Sequence, residues 1–273
     1  MIPNINILGK EFSAYLILAL VGVLVVLWFT KKMAEKHNLD DYRMLCMVLW
    51  AAVGVLIGSH MLYGFTMFDR IVYTFQNLHE IDSFMAFINR AVEIFGGAVF
   101  YGGLIGGVLV AFMYLRRHKL SIPDYGDAAS PAIPLFHFFG RMGCFLSGCC
   151  FGVEWEGGVV YHYSMIGICN GVPRFPVQLI EAILNLLLFV LLLWMLQKGK
   201  MKGKLLPLYF SIYPVYRFIL EYFRGDEYRG FLFGLSTSQL ISVILLIIVA
   251  VYWIANAVKK KNSVSKMPEL KEE

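Results

Sequence analysis

PLFHFFGRMGCFLSGCCFG (Pro134–Gly152) is apolar enough to lie in a membrane, yet Arg141 stands near its middle. An intramembrane charge costs on the order of 2.5–3.5 kcal/mol at a helix centre on insertion scales, so function is the default reading. The competing reading is an arginine that snorkels to the headgroups or sits in a structural ion pair. Its neighbours favour function. Asp127, Ser130, Pro134, His137 and Arg141 recur at spacings of 3, 4, 3 and 4, one face of an α-helix. Pro131 and Pro134 predict a kink. Asp127, near one end, reads as structural; His137 and Arg141 lie deeper, towards the other end.

The surrounding chain is that of an all-α, polytopic membrane protein. It has 273 residues, 59% hydrophobic and 16% charged, which excludes an ordinary soluble domain. Seven segments approach the roughly 20 apolar residues that a crossing needs: 12–30, 44–66, 95–115, 127–150, 176–197, 206–223 and 237–257. They make one integral membrane domain over residues 1–258, followed by a polar cytoplasmic tail, 259–273. The first run lacks a small-residue cleavage pattern and reads as a retained helix.

Orientation follows from the basic residues. Lys31, Lys32, Lys36 and Arg43 follow the first span, and Arg116, Arg117 and Lys119 the third. Lys198, Lys200, Lys202 and Lys204 follow the fifth; Lys259, Lys260, Lys261, Lys266 and Lys271 follow the seventh. These are sixteen of the 24 Lys and Arg, all on one side after seven crossings. The N-terminus is therefore expected outside and the C-terminus in the cytoplasm. The net charge of +5 reflects this topology and does not point to nucleic acid.

Several residues stand out along the spans. Tyr15 opens the first, as an interfacial-belt or site residue. Gly54 and Gly58 permit close packing of the second, and His60 beyond them reads as a packed or interfacial histidine. The outer loop 69–92 mixes aromatic and polar residues and suits a short surface helix or lid. The third span opens GGAVFYGGLIGG (96–107), where Gly102 and Gly103 pair with Gly106 and Gly107 at i+4 to make a nearly flat face. Gly96-Gly97 could break the helix and free N–H groups for an anion.

Cys144, Cys149, Cys150 and Cys169 lie outside, where a disulfide or packing thiols are the main readings. C-x4-C-C is not a usual zinc spacing, His162 is only loosely placed to help, and no metal is expected. Arg174, Gln178 and Glu181 fall at i, i+4 and i+7 at the entry to the fifth span. Glu181 lies about 10 Å below Arg174 by helical rise and needs a cationic partner from another helix. The sixth span carries Tyr213, Arg217, Glu221 and Arg224 at i, i+4, i+8 and i+11, with Arg217 and Glu221 able to pair.

Four arginines (Arg141, Arg174, Arg217, Arg224) thus map to the outer half of the bundle with Glu181, Glu221, Tyr101 and Tyr213. Guanidinium groups in a partly dry site bind phosphate bidentately and stabilise one that gains charge as it leaves. An enzyme or binder acting on an anionic lipid fits, and so does a transporter.

GGAVFYGGLIGG (96–107), D-x3-P-x2-P-x5-GRMGCF-x2-G (127–148), RFPVQLIE (174–181) and YPVYRFILEYFR-x-D (213–226) together resemble the prolipoprotein diacylglyceryl transferase family. The resemblance implies a multi-pass enzyme of the bacterial inner membrane, with its active site towards the outer leaflet. Its substrates would be phosphatidylglycerol and the lipobox cysteine of an exported prolipoprotein. A thioether forms and glycerol phosphate leaves, with no cofactor. By motif, Arg141 and Arg217 hold the phosphate, Glu221 and Arg224 fix the entrance, and Tyr101 or His137 assists the acceptor proton. Tyr213, Arg174, Glu181, Gly102, Gly103 and Tyr15 complete the substrate site. Tyr101 stands where the family motif has histidine (H-G-G-L-I-G). Cys144, Ser147 and Cys149 replace the asparagines and glutamate of G-R-x-G-N-F-x-N-G-E. A paralogous transferase with another acceptor, or a non-catalytic lipid-binding or transport protein, are the alternatives.

Overall fold

The structure is a computed structural model that describes residues 4–7, 9–164, 166–226, 231–232 and 234–264. Lys266 and Lys271 of the expected tail lie outside the described residues. Ten helices follow in chain order: α1 (Ala14–Lys36), α2 (Asp41–Thr66), α3 (Phe68–Gln76), α4 (Phe84–Phe95), α5 (Phe100–Arg117), α6 (Ile122–Ala129), α7 (Ala132–Ser147), α8 (Val177–Gln197), α9 (Leu205–Leu220) and α10 (Thr237–Val264). Three two-stranded antiparallel sheets accompany them: β1 (Asn4–Ile7) with β2 (Lys10–Ser13), β3 (Glu154–Val160) with β4 (Pro173–Arg174), and β5 (Phe231–Leu232) with β6 (Leu235–Ser236). The protein is mostly helical, as expected, with short two-stranded hairpins beside the helices.

Four helices, α1, α2, α8 and the Thr237–Lys259 part of α10, are long and apolar enough to cross a membrane. A fifth crossing is reached if α4 and α5 are taken together, although they bend by 96° at their break. Helices α7 and α9 have 16 residues each, short of the roughly 20 of a standard span. Large apolar side chains point outwards along the long helices, among them Leu20, Leu24, Leu56, Leu187 and Ile247. Buried polar groups gather inside instead, the inverse of a water-facing bundle.

Helices α2 and α5 approach through glycines. A Cβ on Gly54 would fall 2.5 Å from the Gly106 carbonyl oxygen, and Gly58 and Gly102 exclude a side chain from each other in the same way. Gly103 meets Val55 and Ser59. Gly102 and Gly103 therefore lie packed against α2. The break before α5 is held by His60, whose Nδ1 lies 2.8 Å from both the Phe95 and Gly97 carbonyl oxygens. The Val99 amide donates to Ser59 O at 3.1 Å. The outer loop forms α3, a 3-10 turn and α4, tied by Arg70 and Arg90 to Glu93, with Phe68, Phe75, Phe84 and Met85 exposed.

The expected fourth span is two helices. Ser130 turns both its amide and its hydroxyl to Gly126 O, ending α6, and Pro131 starts the next turn. Asp127 has the structural role expected of it: its carboxylate accepts from the Gly203 amide and, at 2.9 Å, from the Leu205 amide, capping the start of α9. Arg43 meets His118 at 3.1 Å, and Lys204 lies over the Trp253 ring. The basic segments thus share one end of the bundle. Tyr15, the end of α7 and the starts of α8 and α10 share the other.

Candidate functional site

The Glu181 carboxylate is the hub of that second end. It is 1% exposed and sits on a stripe of α8 with Val177, Gln178, Ala182 and Asn185. Arg141 of α7 brings Nε to 3.0 Å from Oε2. Arg217 of α9 places its Nε 3.9 Å from Oε1, and His137 Nε2 lies 3.5 Å from the same oxygen. Two guanidinium groups from two other helices thus converge on one buried carboxylate, the partner that the sequence required. Breaking such a pair leaves an uncompensated charge, so the three helices are mutually constrained.

The two arginines are not equivalent. Arg217 has a charged or polar group near each nitrogen: Nε lies 3.9 Å from Glu181, Nη1 is ion-paired with Glu221 at 2.6 Å without a hydrogen bond, and Nη2 donates to Ser238 Oγ at 3.1 Å. Arg141 donates through Nε to His137 Nε2 at 3.3 Å and pairs with Glu181. Its Nη1 and Nη2 take no hydrogen-bond or ion-pair partner among the described residues. The donor fork left over is therefore that of Arg141. Tyr15 flanks it: a Cβ on Gly143, two residues along α7, would lie 2.9 Å from the Tyr15 ring.

An aromatic wall closes the inner side. Phe100 stacks on His137 with centroids 4.0 Å apart, and Tyr213 lies 5.2 Å from the same imidazole. Tyr209 stacks on Tyr213 at 5.5 Å. The Tyr213 and Tyr209 hydroxyls are buried without a hydrogen-bond partner among the described residues. An orphaned buried hydroxyl beside two arginines is a place for a ligand acceptor.

Tyr101 is 1% exposed and its hydroxyl lies 2.5 Å from Ser242 Oγ. Ser242 spends its own proton on Ser238 O at 2.8 Å, so Tyr101 donates and Ser242 accepts. Ser238 Oγ in turn accepts from Arg217. Tyr101 therefore ties α5 to α10 and supports Arg217 from behind.

The remaining candidates lie in a cap above the hub. Arg174 is not on α8, which begins after Pro176; it belongs to β4. Its Nη1 donates to Gly152 O at 3.4 Å and its Nη2 to Ile168 O at 3.2 Å. The guanidinium lies 4.5 Å over the Phe151 ring and 3.6 Å from Glu154. It holds the cap together, away from Glu181. Arg224 does not continue the α9 stripe either. A 3-10 turn, Glu221–Phe223, follows α9, and Arg224 is extended and chelates Asp226 with Nε at 2.9 Å and Nη2 at 2.5 Å. Gly152 bridges to Arg224, and the Val153 amide donates to Phe223 O, fastening the cap to the end of α9. Gln178 completes the join by donating to Cys149 O at 2.7 Å and accepting from Tyr161 at 3.2 Å. Burial pushes the Tyr161 hydroxyl up to about 12, so it remains a donor.

Sequence reading missed Asn185, Ser238, Ser242 and Phe100. Asn185 donates to Glu181 O and accepts from Tyr216. Its one signal was a lone amide four residues after Glu181 in an apolar run. Ser238 and Ser242 lie in the first two turns of α10, and only packing brings them to Arg217 and Tyr101.

Comparison with known proteins places the chain in a family. Residues 4–255 match the family described as prolipoprotein diacylglyceryl transferase. The chain is 29% identical over 245 residues to the phosphatidylglycerol–prolipoprotein diacylglyceryl transferase of Clostridium tetani, covering 89% of this chain and 92% of that protein. It is 30% identical over 245 residues to transferase 2 of Clostridium perfringens (89% and 90%). It is 33% identical over 224 residues to the transferase of Idiomarina loihiensis (81% and 79%).

Proposed function

The chain belongs to the prolipoprotein diacylglyceryl transferase family, and from that premise we propose that it transfers the diacylglyceryl group of phosphatidylglycerol to the lipobox cysteine thiol of a prolipoprotein. The observation that carries the reading is the uncommitted fork of Arg141 beside the buried Glu181 carboxylate. In this reaction a C–S bond forms as the glyceryl carbon releases its phosphate oxygen. The thiol loses its proton, and glycerol phosphate leaves with an added negative charge. A rigid guanidinium fork stabilises that charge where it develops. Arg217 holds Glu181 and Glu221 in place, and the Tyr213 hydroxyl meets a polar oxygen of the lipid. His137 Nε2 accepts from Arg141 in the resting site. As the fork takes phosphate, the Arg141 Nε–H stays with Glu181, and His137 Nε2 is left to accept the thiol proton.

The finer topology is part of the same proposal. The chain crosses the bacterial inner membrane seven times as one domain over residues 1–258. The N-terminus is outside, and the site lies towards the outer leaflet. Support comes from the basic segments at one end and the arginine hub at the other. Helix α5 packs along α2, α7 against α1 and α8, and α9 against α10 and α8, each a longer neighbour.

A direct assay uses the purified chain with phosphatidylglycerol labelled in its glycerol headgroup and a lipobox peptide. Peptide thioether and labelled glycerol phosphate are expected in equal amounts. Lipid binding with no release would support a non-catalytic binder; release with no peptide adduct would support another acceptor. In the same assay Tyr101→Phe is expected to lose about tenfold or less, because it removes one neutral hydrogen bond of roughly 0.5–1.5 kcal/mol. A complete loss in Tyr101→Phe would make Tyr101 the proton acceptor and overturn its supporting role.

A further inference from the structure

Three thiols that the transfer reaction leaves unused converge just past the end of α7. The Sγ atoms of Cys144, Cys149 and Cys150 all lie within 4.8 Å of one another, and none is in a disulfide. Sequence spacing argues against this. Residues five apart on a helix diverge by about 140°, and adjacent extended residues point to opposite sides. The chain overcomes both obstacles with two left-handed residues. Gly148, at φ +71°, closes α7, and Cys150, at φ +55°, turns its own side chain back. A left-handed non-glycine residue costs roughly 1–2 kcal/mol. Here the loop is held from outside: the Cys149 amide donates to Cys144 O, and Cys149 O accepts from Gln178.

We propose that Cys144, Cys149 and Cys150 form a three-thiolate site for a thiophilic d10 cation, Zn2+ or Cu+. The three sulfurs need only a small contraction, since metal–sulfur bonds of about 2.3 Å put ligand sulfurs roughly 3.8 Å apart. A disulfide would use two thiols, need a sulfur separation near 2.05 Å and strand the third. Binding releases the thiol protons. Three thiolates around Zn2+ leave one net negative charge, and around Cu+ two. His162 is exposed and outside the converging set, so the fourth position is left to water on Zn2+ and is unnecessary for trigonal Cu+. The ion would tie the end of α7, and so Arg141, to the loop that enters the cap. The inference does not depend on the transferase reading, because it is read from metal binding itself.

The test uses the full chain in detergent micelles, reduced and stripped by chelator, titrated with Cd2+ while thiolate-to-metal charge-transfer absorption is followed. One equivalent per chain is expected, displaced by Zn2+ or Cu+ and not by Mg2+; which of the two displaces at lower concentration assigns the ion. Cys144→Ser, Cys149→Ser and Cys150→Ser are each expected to weaken binding by more than the roughly tenfold that loss of an outer-shell partner costs. Cys46→Ser and Cys169→Ser should leave it unchanged. In the unsubstituted chain, bound metal should protect three of the five cysteines from alkylation, a readout independent of variant folding. No saturable signal, an unchanged signal in the cysteine variants, alkylation of all five thiols with metal present, or a disulfide among the three in the chain as isolated would each overturn the proposal.

Discussion

Arg141→Lys is expected to keep the fold and lose diacylglyceryl transfer by about a hundred- to a thousandfold, the range found when a preorganised donor to developing charge is removed. Lysine is the informative substitution. Its ammonium can still pair with Glu181, so the carboxylate is not stranded. It cannot also present the planar fork that Arg141 leaves open, because a single point of donation replaces five fixed N–H groups. Arg141→Ala confounds the two effects by also taking a cation from the buried carboxylate. The measurement is initial rate against phosphatidylglycerol concentration, with thermal unfolding in the same micelles. Near-normal transfer by a well-folded Arg141→Lys would remove Arg141 from the phosphate site.

Glu181→Gln is expected to be the most destabilising single change at the site. It leaves Arg141 and Arg217 facing a neutral amide, with the residue 1% exposed. Removing one member of a buried ionic set costs on the order of 3–5 kcal/mol. Transfer should fall with it, because the Arg141 fork is aimed by the Nε–Glu181 contact. Arg224→Gln offers the contrast. Its partner is Asp226 at the cap, so its loss should loosen the cap without freeing Arg141. Unfolding midpoints of the two variants in one detergent check the order. A Glu181→Gln protein as stable as the unsubstituted chain would show that the arginines do not depend on that carboxylate.

Much of this site was legible before any coordinates. Helical period placed His137 with Arg141 and Tyr213 with Arg217, because four residues on a helix is nearly one turn. An intramembrane Glu181 demanded cations, and α7 and α9 supply them. The same rule failed where the helix stopped. Arg174 lies before Pro176, and Arg224 lies after a 3-10 turn, so extrapolating the period carried both onto faces they do not occupy. Gly102 and Gly103 suited helix packing by spacing alone, and only the structure shows that their neighbour is α2. The β3–β4 cap escaped notice because β4 is two residues long and pairs across a loop, too little for an alternation to appear.

By itself the sequence determined the membrane class, the side on which basic residues collect, and the family, because hydropathy, charge and motif are properties of the chain. It also determined which groups carry chemistry, since an ionised side chain in an apolar run has to be satisfied somewhere. Only the tertiary structure decided how those groups pair. Arg141 and Arg217 look alike in sequence, yet Glu221 and Ser238 lie at the Nη atoms of one while the other keeps its fork open. The three cysteines look dispersed, yet two left-handed residues fold them together. Periodicity assigns a residue to a face of its own helix. Which face of which neighbour it meets depends on contacts between segments far apart in the chain, and local spacing does not encode them.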